Sequence, residues 1–489
     1  MITKRLYIFL LATYFSIAIA ANTAIIPHIM AYDLRVTYDV DYSFSFFTNT
    51  QPDSGKLLFY STNGDSIGEY TITQTLQKGE NTITIPTQML PSNHSTMAWA
   101  LYLSAPNNLE LSCIYEGETY NRLYTAIDNN PKSDYFGHIY LANRKGVGVC
   151  EIHILDYKYQ PIFKTSDDYT TFNVIGRPSI DSEGYVYWPD WGDLKSGINV
   201  MNPTNYYTTS FFKGTHDNDN GVWYNTSSST DLGSSTPSVS IYGTGKETKL
   251  FAINEDSGKY GQLPKNGYLI YQLGNEDGTI SRQWKTSPTQ IVNVEDTKNG
   301  NLAIVGTSHG AWICQPTTTN QQGSYALMFY DNQGQRQYAS TDPQIINGAN
   351  GAGIAINREE NLLAMVNADG NILLFNITWN GDIPTLTLNT TYTTAYNAIS
   401  SMHFDYAGNL VTTSGNNFGN KDDLRLVIYS TPTDKNSITI PARVSQQIHV
   451  CETSTDYPHT QMENTPTKIL RNGHLHILYN DREYSILGF

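Results

Sequence analysis

The residues in this chain best suited to chemistry lie in two short polar segments. Tyr187-Trp188-Pro189-Asp190-Trp191-Gly192-Asp193 sets two indoles beside two carboxylates. Indole rings stack on the apolar faces of a sugar while acids accept its hydroxyl protons, so Trp188, Asp190, Trp191 and Asp193 are the candidate ligand-binding residues. The competing role for the segment is structural, with one indole in a core and the other packed between sheets. His216-Asp217-Asn218-Asp219-Asn220-Gly221 is dense in the oxygen donors that calcium prefers. Asp217 and Asp219 are therefore the candidate metal ligands, and calcium is the cofactor they would take. The EF-hand pattern is not completed, because Ser227 and Ser228 stand where its bidentate acid is needed. A surface loop of turn formers is the other role for this segment.

Two further segments match catalytic motifs by letter only. Gly306-Thr307-Ser308-His309-Gly310 has the G-x-S-x-G spacing of a nucleophile elbow, which requires a strand turning sharply into a helix. Ala311-Trp312-Ile313-Cys314 follows and reads as a strand, so a Ser-His loop between two strands is the better account. Gly243-Thr244-Gly245-Lys246-Glu247-Thr248 lacks the first glycine and the hydroxyl residue of a phosphate loop, and reads as a hairpin turn. Glu183, Asp190, Asp193, Asp217 and Asp219 could include a carboxylate pair for glycosidic cleavage, but their spacing in space is not set by the sequence. No catalytic residue is assigned.

Composition narrows the class. Of 489 residues only 15% are charged, and 35 are tyrosine, a composition typical of extracellular β-proteins. The net charge is −15, with no basic cluster, which excludes nucleic acid as a partner. Lys4 and Arg5 precede an apolar run from Leu6 to Ile19, and Ala18-Ile19-Ala20 offers a small-x-small cleavage site. Residues 1–20 thus read as a signal peptide, and the mature chain, beginning near Ala21, is not membrane-spanning. Cys113, Cys150, Cys314 and Cys451 lack metal-site spacing; they are either paired or buried thiols.

Strand patterning divides the rest. Residues 33–128 hold short alternating runs such as Tyr42–Phe46, Lys56–Tyr60 and Met97–Leu103, punctuated by Asn63-Gly64 and Lys78-Gly79-Glu80-Asn81. This is an immunoglobulin-like pattern, and it resembles the immunoglobulin-like module of flagellar hook-assembly proteins. Residues 134–450 repeat a unit of apolar strand, Asp-x-x-Gly-type turn and two more strands. Copies lie at Pro178–Trp188, Val294–Val305, Gly353–Val366 and Met402–Val411, and the last two are 48 residues apart from Asn361 to Asn409. Such sheets must stack to bury both faces, and the spacing predicts a β-propeller of six or seven blades. The copies resemble the NHL and gluconolactonase-like propellers.

Residues 466–489 read as a C-terminal β-hairpin tail. Lys468-Ile469-Leu470-Arg471-Asn472-Gly473 and the alternating run to Tyr484 resemble the short sorting-like tail of exported Bacteroidota proteins. Asp134–Tyr140, Asn347–Gly353 and Asn376–Trp379 resemble segments of the same group. The expected fold is all-β, an N-terminal immunoglobulin-like β-sandwich followed by a six- or seven-bladed β-propeller. The expected function is that of a secreted or outer-surface bacterial binding protein, non-catalytic, recognising a glycan or envelope protein through a propeller face. A metal-dependent propeller hydrolase, lactonase or glycan-cleaving, and a structural envelope scaffold are the alternatives. The leader makes a direct prediction: N-terminal sequencing of the exported protein reads from Ala21, whereas an uncleaved anchor reads from Met1.

Overall fold

The computed structural model describes residues 25–485 apart from 93–94, 120–123, 147–148, 166–174, 191–196, 214–235, 255–266, 283–287, 295–301, 317–323, 344, 346–352, 368, 395–398, 415–424, 450–466, 472–473 and 480–481. Short β-branched and aromatic runs between turn formers favour strands, and no α-helix occurs among the described residues. No helix there is long and apolar enough to cross a membrane.

The chain opens with β1 (Ala31–Tyr38), β2 (Tyr42–Thr48), β3 (Ser54–Tyr60), β4 (Ser66–Thr71), β5 (Gly79–Ile85) and β6 (Thr96–Ser104). Along β2 the side chains of Tyr42, Phe44 and Phe46 are buried and those between them are not, the period-2 pattern of a one-sided sheet. β1-β2-β5 forms one sheet, and β6-β3-β4 belongs to a second. Their apolar faces share one core, in which Phe44 meets the Trp99 ring edge-on at 4.9 Å. β7 (Ser112–Thr119) follows and leaves this layer.

Five four-stranded sheets come next in chain order. They are β8 (Tyr124–Ile127), β9 (Ile139–Gly146), β10 (Val149–Leu155) and β11 (Pro161–Lys164); then β12 (Ser179–Ile180), β13 (Val186–Asp190), β14 (Gly197–Met201) and β15 (Thr208–Lys213). The third is β16 (Val239–Tyr242), β17 (Lys249–Asn254), β18 (Gly267–Gln272) and β19 (Gln290–Val292). The fourth is β20 (Ala303–Gly306), β21 (Gly310–Cys314), β22 (Leu327–Asp331) and β23 (Arg336–Ala339). The fifth is β24 (Ile354–Ile356), β25 (Leu362–Val366), β26 (Ile372–Asn380) and β27 (Ile383–Tyr392). A sixth sheet takes β28 (Ile399–Phe404), β29 (Leu410–Ser414) and β30 (Arg425–Ser430), and β7 is its fourth strand. The first strands touch in succession from β8 through β12, β16, β20, β24 and β28, and β28 touches β8 again. The arrangement is propeller-like, and the apolar clusters lie between neighbouring sheets.

An inner strand at the edge of its sheet leaves backbone N–H groups without a ladder partner, and buried N–H groups must be satisfied. Serines on the preceding inner strand supply the acceptors. Ser179 Oγ accepts from Ile241 N at 2.9 Å, Ser238 Oγ from Ile304 N at 3.2 Å, and Ser240 Oγ from Gly306 N at 3.0 Å. Between the last sheet and the first, Ser401 Oγ accepts from Thr125 N at 3.2 Å and donates to Thr125 O at 3.1 Å.

After the sixth sheet the chain returns to the first layer. β31 (Ser437–Pro441) pairs with β6, and β32 (Ile448–His449) also pairs with β6. The strands therefore depart from the expected boundaries of 33–128 and 134–450. β7 and β8 belong to the ring of sheets, while 437–449 belongs to the two-sheet layer. Strand patterning marks where strands fall, not which strand each one pairs with. β33 (Thr467–Arg471), β34 (His474–Tyr479) and β35 (Arg482–Ser485) form a separate three-stranded sheet, one strand more than a hairpin. Cys113, Cys150 and Cys314 stand as thiols, and Cys451 lies outside the described residues.

The two crossings between layer and ring, 105–111 and 431–436, run side by side. Ala105 N donates to Asn436 O at 2.9 Å and Thr433 N to Asn108 O at 2.7 Å. The Asn436 side chain is the knot: Oδ1 accepts from Ile29 N at 2.7 Å, and Nδ2 donates to Pro106 O at 2.7 Å and Pro27 O at 3.1 Å. Only 2% of this residue is exposed. Asn436→Ala orphans the buried Ile29 N–H and frees two part-buried carbonyls, and is expected to destabilise the fold by about 1–3 kcal/mol, read as a lower urea midpoint.

Candidate functional site

The ring's turns are built by one device. Asp181 Oδ1 accepts from Glu183 N at 2.9 Å and Tyr185 N at 3.1 Å, and Asp405 Oδ1 accepts from Ala407 N at 2.9 Å and Asn409 N at 2.8 Å. The residue three positions after the acid has positive φ, 84° at Gly184 and 95° at Gly408, where glycine avoids a Cβ clash. The turn Asn357-Arg358-Glu359-Glu360-Asn361 departs from this, with Glu360 at φ 54°. An L-residue there costs about 1–2 kcal/mol. The Glu360 carboxylate accepts from Ser308 N at 2.9 Å and from Ser308 Oγ at 2.6 Å, and its carbonyl accepts from Trp379 Nε1 at 2.8 Å. Glu360 thus fastens the fourth sheet's first turn to the fifth.

Neighbouring inner strands run in the same direction, as the parallel bridge between Arg177 and Ser238 requires. Their following turns therefore gather at one end of the ring. A channel of about 460 Å³ runs between the six inner strands and opens among those turns. Asn130, Ser182, Thr244, Arg358, Glu360 and Tyr406 stand around its mouth. The two-sheet layer sits on the same end: Tyr32 stacks on Tyr157 at 5.0 Å and tilts against Phe136 at 5.4 Å, and Arg443 pairs with Asp134.

The charged groups at this mouth are largely committed. Asp181 meets Arg282 Nε and Nη2, each at 2.7 Å, and accepts from Tyr187 OH at 3.2 Å. Burial raises its carboxyl, opposed by Arg282 and the turn N–H groups. Asp405 Oδ2 is bonded to Asn409 Nδ2 at 2.8 Å. His403, on the channel wall, is pushed down to about 4 by burial, with its bond to the Thr125 backbone opposing. Its ring is uncharged at neutral pH. Arg358 lies over the Tyr406 ring at 3.9 Å and pairs with Glu359 at 2.7 Å. The three carboxylates lining the channel, Asp181, Glu360 and Asp405, all hold turns or ion pairs. Among the described residues no group of three His, Cys, Asp or Glu is placed to hold a metal ion.

The sequence candidates fall elsewhere. Trp188 and Asp190 are wholly buried in β13, with Trp188 in the cluster between the first and second sheets. The burial of Trp188 corrects the expectation of a sugar-stacking face there. The reason is that β13 is covered on both faces, Val186 and Trp188 on one and Tyr187 on the other. Trp191, Asp193, Asp217 and Asp219 lie outside the described residues. Ser308 and His309 form the loop between β20 and β21, as read from the sequence. They turn to different partners: Ser308 to Glu360, and His309 Nδ1 to Asp382 Oδ1 at 3.0 Å, with its ring stacked on Trp379 at 4.1 Å. A nucleophile needs a base on its own hydroxyl, and a committed carboxylate is a weak one. Arg358, Glu360 and Tyr406 were not singled out by sequence reasoning. The available signal was an acid standing in the glycine place of a repeated turn.

No family profile matches the chain, and no curated protein matches it in sequence. Among solved structures, a Bacteroides thetaiotaomicron VPI-5482 protein of unknown function is similar at TM-score 0.39 and 8% identity, over 82% of this chain and 99% of that one. Kuenenia stuttgartiensis hydrazine synthase is similar at TM-score 0.40 and 12% identity, over 70% and 94%. The β-propeller domain of Myceliophteria thermophila Cps50 (Swd1) is similar at TM-score 0.39 and 12% identity, over 67% and 100%. Likenesses this distant assign no function.

Beside the mouth, Asp128 is buried and accepts from Ser133 Oγ at 2.6 Å and Asn130 N at 2.9 Å. Burial nonetheless raises its carboxyl to about 6. A raised folded value favours the folded state below the unfolded value and loses that contribution as pH climbs through 6. Relative to Asp128→Asn, the native chain should therefore gain up to about 3 kcal/mol between pH 7 and pH 4, measured as the difference in urea stability at the two pH values.

Proposed function

We propose that the chain is an exported, non-catalytic binding protein of the bacterial surface. In this reading a six-bladed propeller is set into an immunoglobulin-like sandwich, and a glycan or envelope protein is held at the channel mouth. The observation that carries it is the commitment of the mouth's carboxylates to turns and ion pairs, while amides, hydroxyls and the Arg358–Tyr406 stack face the opening. Such a rim recognises by hydrogen bonding and stacking and lacks a poised acid and base. The strand order supports the sandwich: β1-β2-β5 corresponds to strands A, B and E, and β31-β6-β3-β4 to G, F, C and C′. The ring then occupies the connection between strands F and G.

The reading is tested by plugging the mouth. Thr244 is exposed on the rim, so Thr244→Trp adds an indole without disturbing a core. On a glycan panel and against an outer-membrane extract, the native protein is expected to bind saturably, and Thr244→Trp to lose at least about tenfold in affinity. Undiminished binding by the plugged variant would remove the mouth from the account. Hydrolysis of a bound glycan by the native protein would overturn the non-catalytic reading.

A further inference from the structure

We infer that a second cavity, a groove of about 710 Å³ beside the mouth, binds a neutral, linear saccharide. This rests on the reading that the protein binds glycans and names their class and place. One wall is the fifth sheet with its turn 357–361, and the other is the crossing 431–436 with the start of β31. The first wall carries asparagines with unspent hydrogen-bonding capacity. Asn389 Nδ2 donates to Asn376 Oδ1 at 3.0 Å, a bond that joins the two amides and spends neither amide hydrogen of Asn376 nor the carbonyl oxygen of Asn389. Asn361 accepts from Asn357 Nδ2 at 2.8 Å through Oδ1, leaving its own two amide hydrogens. All three, Asn361, Asn376 and Asn389, are solvent-exposed. An amide donor next to an amide acceptor is complementary to two adjacent hydroxyls of a pyranose, one accepting and one donating.

Charge selects among saccharides. Arg358 and Glu359 line the groove as an ion pair, and Asp434 and Lys435 face it from the other wall. Their formal charges cancel, so the groove has no excess cation for a uronate or sulfate. Leu109, 72% exposed, supplies an apolar surface for the C–H face of a sugar ring. The length of the site comes from the exposed turn and the outward-facing positions of β26 and β27, which place the amides along one wall.

The test titrates the full chain with neutral hexasaccharides of glucose, mannose and galactose, and with a sulfated and a uronic-acid hexasaccharide. At least one neutral hexasaccharide is expected to bind, with the acidic pair weaker. Asn376→Ala/Asn389→Ala should weaken that binding at least tenfold. Thr385→Ala, exposed on the same strand but outside the groove, should stay within twofold. A thermal melt matched to the native protein shows that the double variant is folded. Preference for an acidic hexasaccharide, or unchanged binding by the double variant, overturns the groove assignment. In the second case, loss of binding in Thr244→Trp would show that the broader reading stands without the groove. If the native chain binds no saccharide, the groove assignment and the glycan half of the reading fail, and only the envelope-protein half, tested by the outer-membrane extract, is left.

Discussion

Everything in this fold hangs on two antiparallel ladders joining residues more than three hundred positions apart. β6 meets β31 in the two-sheet layer, and β7 meets β30 in the sixth sheet. Closing contacts of this sequence separation carries a large chain-entropy cost, and only cooperative burial offsets it. The ladders share that burden with side-chain locks placed at the same crossing. Asn436 ties three backbone segments together, and Trp99 donates its indole N–H to Gln446 O at 2.7 Å. The layer's aromatic core and the ring's closure therefore depend on the same late segment of chain. The ring is not complete before Ser430, nor the layer before His449.

Inside the ring, small hydroxyls do what a continuous sheet would do by itself. Ser179, Ser238, Ser240 and Ser401 sit on inner strands and satisfy N–H groups of the strand after them. A larger residue at these places would hold the strands apart, and alanine would leave the N–H groups unsatisfied. The same economy governs the turns, where one carboxylate oxygen organises two backbone amides and a glycine takes the left-handed position. Glu360 is the informative departure. It occupies the strained place and uses its carboxylate to fasten a neighbouring turn, so a local backbone cost stabilises the rim of the channel.

The sequence was most legible where local chemistry sets local structure. The Asp-x-x-Gly turns around Asp181 and Asp405, the strands beside them, and the loop character of Ser308-His309 could all be read from residue order. Partner choice was not legible: nothing in Ser112–Thr119 or Ser437–Pro441 says that each completes a sheet begun hundreds of residues away. Trp188 misled because the carboxylates beside it suggested an open face, whereas its strand is covered on both sides. The groove asparagines were invisible for the opposite reason. Asn376 and Asn389 look like ordinary polar strand residues until cross-strand pairing sets them side by side.

The paired crossings have a mechanical meaning. Because the chain enters and leaves the ring through adjacent strands, tension applied between the two ends of the chain arrives first at the two-sheet layer. There β31 and β6 are held along Ser437 to Pro441 by a ladder that must yield before force can pass into 105–436. The ring thus hangs to the side of the line of pull, as a pendant does from a clasp. For a protein tethered at one end and loaded at the other, the ring would keep its shape until the clasp opened.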